Sequence, residues 1–153
     1  CSGDQGRGQP VHGRMVGPDG VLSIQPMDPQ TAKESLNTLL EVWWMGQQQP
    51  LPLPFKTALT LAASAQDGQA TPDSKAEAVY EGGGDAMSDR MAEVRDMCLA
   101  RVFPDFETLC DTETSNGQCL LDLAPWVYAP LLQWAAECVT AQAHEPAAPQ
   151  NAH

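Results

Sequence analysis

The sequence predicts an α+β fold that is mostly helical, with one β-hairpin followed by five or six helices. Two short β-prone runs flank Pro18-Asp19-Gly20, a turn sequence in which proline presets φ and glycine supplies a positive φ. The apolar residues of the later segments recur at helical spacing, between capping residues, prolines and glycines. A chain of 153 residues has room for one domain.

The domain is expected to span residues 11–143. Residues 1–10 combine glycine, glutamine and charge without apolar periodicity, and they are expected to form a disordered lead-in. Residues 144–153 have a similar composition and are expected to form a disordered tail.

The predicted hairpin covers Gly13–Gln25. A single hairpin is not stable alone in water, so it must pack either on the helices that follow or on strands supplied from elsewhere.

Asp28-Pro29 favours a helix start, because the Asp side chain caps free N–H groups and proline at the first position loses no hydrogen bond. Gly46 is expected to end this helix. One apolar stripe runs along it at helical period, which we call the α1 stripe: Ala32, Leu36, Leu39, Leu40 and Trp43. We expect the α1 stripe to be buried in the core. A ligand-binding face is the alternative.

Alternating prolines in Pro50–Pro54 predict an extended strap with leucines projecting from it. The strap is expected to lie across its own domain. The alternative is that it docks as a recognition peptide on an aromatic groove of another protein.

Further helices are predicted down to residue 143. Their expected positions are Phe55–Ala65, then Thr71-Pro72 to a stop at Gly82-Gly83-Gly84, then Ser88 as a cap to Val102, a short turn from Phe106 to Cys110, and Cys119–Ala143. Pro125 and Pro130 are expected to split or kink the last helix around Ala124 and Ala129.

The composition excludes several classes of function. Eight basic residues against 20 acidic ones give a formal net charge of −12, which opposes non-specific electrostatic binding to nucleic acid. No apolar run approaches the ~20 residues that cross a bilayer, so we expect a soluble protein. The five cysteines lack zinc-finger spacing, and we expect buried, reduced thiols in a cytosolic protein.

No catalytic, cofactor-binding or metal-binding residue is predicted. Gly82-Gly83-Gly84 lacks the lysine of a phosphate-binding loop. The histidines His12, His144 and His153 lie in or near the presumed flexible ends. Asp73-Ser74-Lys75 has the D-x-K spacing of metal-dependent nucleases, which is one hypothesis for function, but that chemistry needs both side chains on a strand and this segment predicts a helix.

Five short motifs, in order, resemble the C-terminal end of the RecC family, the gamma chain of bacterial exodeoxyribonuclease V. The resemblance covers about residues 11–135. It rests on Val16-Gly17-Pro18-Asp19-Gly20, Trp43-x-x-Gly46-x-x-x-Pro50-Leu51-Pro52-Leu53-Pro54-x-x-Thr57-Ala58, Ala78-x-Tyr80-Glu81-Gly82, Phe103-Pro104-Asp105-Phe106 and Tyr128-Ala129-Pro130-Leu131-Leu132.

The resemblance implies the C-terminal part of a restriction-endonuclease-like domain that has lost its catalytic carboxylates. It implies a non-catalytic cytoplasmic scaffold for RecB-like and RecD-like subunits in double-strand-break repair and recombination, with double-stranded DNA ends reached through the complex. ATP and Mg²⁺ would be used by those partners, and no cofactor is expected in this chain. The motif residues or possible partner contacts are Trp43, Gly46, Pro50, Leu51, Pro52, Tyr80, Glu81, Gly82, Pro104, Asp105 and Phe106. Contact with a partner is expected at the Pro50–Pro54 strap and at the Glu81–Asp89 loop, because backbone held open by proline and glycine can pair with a partner.

A second hypothesis rests only on Cys1-Ser2-Gly3, which resembles the start of a mature bacterial lipoprotein. It describes a lipid-anchored acidic envelope protein with a helical interaction domain.

Overall fold

A computed structural model describes residues 12–68 and 74–143, and in them the fold is α+β and mostly helical. The elements are β1 (Gly13–Gly17), β2 (Gly20–Ile24), α1 (Pro29–Gly46), α2 (Phe55–Gln66), α3 (Ser74–Glu81), α4 (Ala86–Met91), a short 3-10 helix (Glu93–Arg95), α5 (Met97–Val102), α6 (Phe106–Asp111), α7 (Leu120–Cys138) and β3 (Val139–Ala143). The described residues therefore contain seven α-helices, more than the five or six expected.

The predicted hairpin is present, and its partner strand comes from the same chain. β1 and β2 are antiparallel around the Pro18-Asp19 turn, and β3 pairs antiparallel with β2 to give the order β1-β2-β3. The expectation that Val139–Ala143 is helical was wrong. β-branched Val139 and Thr140 favour a strand, and the pairing that stabilises it lies more than 100 residues away in sequence.

α1 begins and ends where the sequence predicts. The Asp28 carboxylate accepts hydrogen bonds from the Gln30 and Thr31 backbone N–H groups, both at 3.0 Å, and Pro29 takes the first helical position. These bonds lower the pKa of Asp28. The helix ends at Gly46.

The α1 stripe is exposed, so the expectation of a buried core face was wrong. Leu36, Leu39, Leu40 and Trp43 keep 53–58% of their surface accessible, and α1 contains no buried residue. α1 packs against α7 instead, with Ser35, Thr38 and Val42 half-buried. Helical periodicity marks an apolar face correctly but does not say what covers it.

The core lies among α2, α3, α6 and α7. α2 packs along both α7 and α3. The buried cluster consists of Ala58, Leu61, Ala76, Tyr80, Phe103, Phe106, Leu109, Leu120 and Ala124.

The single helix expected from Ser88 to Val102 is broken into α4, the 3-10 helix and α5. Its N-cap is Asp85, not Ser88, because the Asp85 carboxylate accepts from the Met87 and Ser88 N–H groups at 3.0 Å. Asp96 starts α5 in the same way, accepting from the Cys98 N–H at 2.8 Å. Each aspartate offers the backbone a cap in place of a continued helix.

α7 is one helix through Pro125 and Pro130, so of the expected split or kink the split was wrong, and a kink stays a prediction. Leu123, Ala124 and Val127 of α7 are buried and α2 packs along this helix, and this packing outweighs the hydrogen bonds that the two prolines remove. The predicted start of α3 at Thr71-Pro72 lies outside the described residues. The predicted stop is confirmed, since α3 ends at Glu81.

The cysteines differ from expectation in their burial. Cys98 is exposed, and Cys110, Cys119 and Cys138 are half-buried, all four as free thiols. Burial raises the pKa of Cys110 to about 11, which keeps it protonated at neutral pH.

Candidate partner-binding surfaces

The Tyr-Glu-Gly and Phe-Pro-Asp-Phe motifs meet in space and join α3 to α6. The buried Tyr80 hydroxyl donates to the Phe103 carbonyl at 2.5 Å, and the Glu81 carboxylate accepts from the Phe106 N–H at 2.7 Å. The Tyr80 and Phe106 rings are 6.4 Å apart. These contacts are internal, so Tyr80 and Phe106 serve the fold in this structure, and their role as possible partner contacts stays a prediction.

Asp105 and Gly82, from the same two motifs, also have internal contacts. The Asp105 carboxylate caps α6 by accepting from the Thr108 N–H at 2.7 Å, and the Thr108 hydrogen bonds lower its pKa. Gly82 has φ = 107°, and a Cβ there would meet the Asp89 carboxylate and lie 3.0 Å from the Asp89 Cα. Pro104 is exposed beside them.

The Pro50–Pro54 strap lies across its own domain. Pro52 and Pro54 are buried, while Leu53 packs against the core cluster. Leu51 lies against Gly46, where an added Cβ would be 3.5 Å from the Leu51 Cδ1. Within the strap, Pro50 is exposed and available to a partner.

The strap entrance is tied to the loop before α7. Gln49 exchanges two hydrogen bonds with Ser115, one from its amide to the hydroxyl at 3.3 Å and one from the Ser115 N–H at 3.1 Å. Asn116 contacts the Met45 sulfur at 3.6 Å. Met45 and Gln49, which flank Gly46 in the sequence, are thereby held in place.

In the Glu81–Asp89 loop, two backbone amides already bind the loop's own side chains. The Gly83 N–H donates to the Ser88 hydroxyl at 3.0 Å, and the Gly84 N–H donates to the Asp89 carboxylate at 3.2 Å. Backbone pairing with a partner is therefore not what this loop offers at these glycines. From Ala86 onwards the segment belongs to α4, in which Ala86, Met87, Arg90 and Met91 are exposed.

Sequence reasoning missed a methionine surface on this side of the molecule. We define it as Phe55, Met87, Met91 and Met97, which keep 57–86% of their surface accessible. The Lys56 ammonium donates to the Met91 carbonyl at 3.2 Å, which places the start of α2 beside the end of α4. Methionine side chains adapt to irregular partner surfaces. The i, i+4 spacing of Met87 and Met91 was the available signal in the sequence.

An apolar groove of about 240 Å³ lies between α1 and α7. Its lining includes Met27, Thr38, Leu39, Tyr128, Leu131 and Trp134. Burial raises the pKa of Tyr128, so the phenol is neutral here at physiological pH. These side chains can hold apolar groups but supply no acid–base pair.

In residues 12–68 and 74–143, no group of three or more His, Cys, Asp or Glu side chains could hold a metal ion. Asp73 of the D-x-K sequence lies outside the described residues, as do His144, His153 and Cys1 of the lipoprotein hypothesis. Lys75 lies on helix α3, not on a strand. No helix in the described part of the chain is both long and apolar enough to cross a bilayer.

Comparison with known families gives one match. Residues 11–66 match the family model of the RecC C-terminal domain. Comparisons with curated proteins and with solved structures give no match. The matched segment covers β1, β2, α1, the strap and α2, somewhat more than a third of the chain. It confirms the resemblance to the RecC C-terminal domain and includes Trp43, Gly46, Pro50, Leu51 and Pro52.

Proposed function

We propose that this chain is the non-catalytic C-terminal part of a RecC-like gamma subunit in a cytoplasmic exodeoxyribonuclease V complex. The observation that carries the proposal is the match of residues 11–66 to the RecC C-terminal domain. In this role the chain holds RecB-like and RecD-like subunits during double-strand-break repair and recombination. ATP hydrolysis, Mg²⁺ binding and strand cleavage belong to those partners.

The charge supports an indirect role in DNA handling. A chain with a formal net charge of −12 repels a phosphate backbone, so double-stranded DNA ends are reached through the partner subunits. The proposal also includes the restriction-endonuclease-like origin of the domain, reduced here to a form without catalytic carboxylates.

The methionine surface is the proposed contact with a partner subunit. Its four side chains are large, apolar and exposed. Met87 and Met91 are one turn apart on α4, and the Lys56 hydrogen bond to the Met91 carbonyl places the start of α2 beside them. Phe55 belongs to the segment that matches the family, which links this surface to the family pattern. Burying exposed methionine and aromatic side chains is a common source of binding energy in protein interfaces.

Co-expression tests both parts of the proposal. Tagged full chain is purified with the RecB-like and RecD-like subunits of the same organism, and their recovery is quantified. We expect co-purification with the wild-type chain. Combined Met87→Lys and Met91→Lys substitutions are expected to weaken recovery about tenfold, because two apolar contacts are replaced by charges at the interface.

Ala86→Lys is the matched control, since Ala86 is exposed on the same helix and its side chain points in another direction. It should leave recovery unchanged. Failure of the wild-type chain to recover either subunit would contradict the proposed function. Full recovery by the double variant would contradict only the assignment of the surface.

A further inference from the structure

Half of the basic side chains of this acidic chain lie at the methionine surface. Of its eight lysines and arginines, one is at the start of α2 and three are in the segment from α4 to α5. All four are exposed. We call them the basic flank: Lys56, Arg90, Arg95 and Arg101.

The basic flank adjoins the methionines. On α4, Arg90 is three residues from Met87. On α5, Arg101 is four residues from Met97. Residues three or four apart are neighbours on a helix surface, so each of these arginines lies beside a methionine. A groove of about 300 Å³ reaches both helices. Its lining includes Lys56, Arg90, Met91 and Leu99.

The carboxylates of this segment are engaged elsewhere. Residues 86–102 contain three acidic side chains, and each accepts hydrogen bonds from backbone N–H groups. The Asp89 carboxylate accepts from the Gly84 N–H at 3.2 Å. Glu93 and Asp96 accept at 2.8 Å from N–H groups at the starts of α2 and α5. Within residues 12–68 and 74–143, none of the four cations of the basic flank forms an ion pair with a carboxylate.

The hydrogen bonds of the basic flank do not cancel its charge. The Lys56 ammonium donates to the Met91 carbonyl and the Arg95 Nε to the Asp89 carbonyl, both at 3.2 Å. A neutral carbonyl satisfies an N–H group but leaves the positive charge in place. Arg90 and Arg101 donate no side-chain hydrogen bond to the described part of the chain. The flank therefore presents uncompensated positive charge beside exposed apolar side chains.

We propose that the methionine surface binds an acidic amphipathic segment of a partner subunit. Apolar side chains of that segment pack on the methionines, and its Asp or Glu side chains pair with the basic flank. Charge complementarity identifies this occupant, because arginine binds carboxylates through two parallel hydrogen bonds and is enriched in protein interfaces. The inference rests on the proposed function, since it specifies the partner chemistry for the surface assigned there.

A nucleic acid is the other polyanion that exposed cations attract. Three of the four apolar side chains here are methionines, which have no ring on which a base could stack. The remainder of the chain also opposes a phosphate backbone, since residues 103–143 contain six acidic residues and no basic one. A protein segment uses both the apolar side chains and the cations, so it is the occupant that the surface favours.

The sign of a charge placed on the surface tests the proposal. The affinity of the full chain for the purified RecB-like and RecD-like subunits is measured after digestion of nucleic acid. Met91→Glu should weaken binding about tenfold more than Met91→Lys, because both remove the same apolar contact and only glutamate repels an acidic segment. Equal losses, or a larger loss for Met91→Lys, would overturn the proposal.

Reversing the charge of the basic flank is the second test. Arg90→Glu combined with Arg101→Glu should weaken binding at least about tenfold. Arg14→Glu combined with Lys33→Glu is the matched control, because it changes the net charge by the same amount at exposed positions on β1 and α1. It should change the affinity less than about twofold. All four positions are exposed, so circular dichroism should show unchanged helix content. Arg90→Lys combined with Arg101→Lys keeps the charge and should retain most of the affinity.

The outcomes separate this inference from the proposed function. Equal affinities of the flank variant and its control would overturn the inference and leave the role in a RecC-like complex standing. Wild-type binding that is lost when nucleic acid is digested would show that the cations contact phosphates, and would overturn the inference as well. A wild-type chain that binds neither subunit, with or without nucleic acid, would contradict the proposed function itself and the inference with it.

Discussion

Replacing Tyr80 with Ala is expected to lower the free energy of unfolding by about 3–5 kcal/mol, as large-to-small substitutions of buried aromatic residues do. Tyr80 is fully buried in the core cluster, its ring lies 6.4 Å from that of Phe106, and its hydroxyl donates to the Phe103 carbonyl. The substitution removes the ring and the bond that joins α3 to the α5–α6 connection. The free energy of unfolding of a domain is only about 5–15 kcal/mol, so this substitution removes a large share of the total stability. Urea unfolding followed by circular dichroism measures it.

Tyr80→Phe separates the hydroxyl from the ring. It keeps the packing and leaves the buried Phe103 carbonyl without its donor, so a loss of about 1–3 kcal/mol is expected. If the two variants lose the same free energy, the hydrogen bond carries the whole effect and the packing argument is wrong. If neither loses any, Tyr80 is not a core residue.

The same variant tests a pH dependence. Burial, with smaller contributions from the carboxylates of Glu93, Asp105 and Glu81, raises the pKa of Tyr80 to about 12. An exposed tyrosine has a pKa of about 10, so the folded state favours the neutral phenol. The stability that this group contributes is fully present below pH 10 and is lost as the pH rises towards 12. Tyr80→Phe should unfold with a shallower pH dependence in that range than the wild-type chain. Equal slopes would contradict the assignment to Tyr80.

Local signals in the sequence predicted local structure well. The Pro18-Asp19-Gly20 turn and the Asp28-Pro29 helix start depend on residues a few positions apart, and both are present in the structure. The stop after Glu81 has the same origin, because Gly82 adopts a positive φ. Features fixed by local backbone preference can be predicted from a few consecutive residues of the sequence.

Features that depend on distant contacts could not be predicted in this way. β3 forms because β2 pairs with it across more than 100 residues. The α1 stripe has the periodicity of a core helix, but its exposure is decided by the side of α1 that meets α7. In the same way, the motifs that contain Tyr80 and Phe103 are separate in the sequence, and only the fold shows that they contact each other inside the domain.

Replacing Glu93 with Ala is expected to cost about 2–4 kcal/mol, because one carboxylate satisfies three donors at the start of α2. The Lys56 and Thr57 N–H groups each donate to it at 2.8 Å, and the Thr57 hydroxyl donates at 2.7 Å. The residue before α2 is Pro54, whose side chain provides no cap. Glu93 therefore caps α2 from 36 residues away. Glu113→Ala, at an exposed position in a loop, should change stability by less than about 0.5 kcal/mol.

A double-mutant cycle with Thr57→Val tests whether the carboxylate acts through these donors. Thr57 is fully buried, so loss of Glu93 leaves its hydroxyl and N–H unsatisfied away from water. Once valine has removed the hydroxyl, Glu93→Ala should cost about 1 kcal/mol less than in the wild-type chain, because one of the three donors no longer needs a partner. Additive losses, within the usual 0.3–0.5 kcal/mol of error for independent sites, would contradict the cap. Coupling of the expected size would also show that the 3-10 helix, Glu93–Arg95, supports α2 by holding this carboxylate against its start.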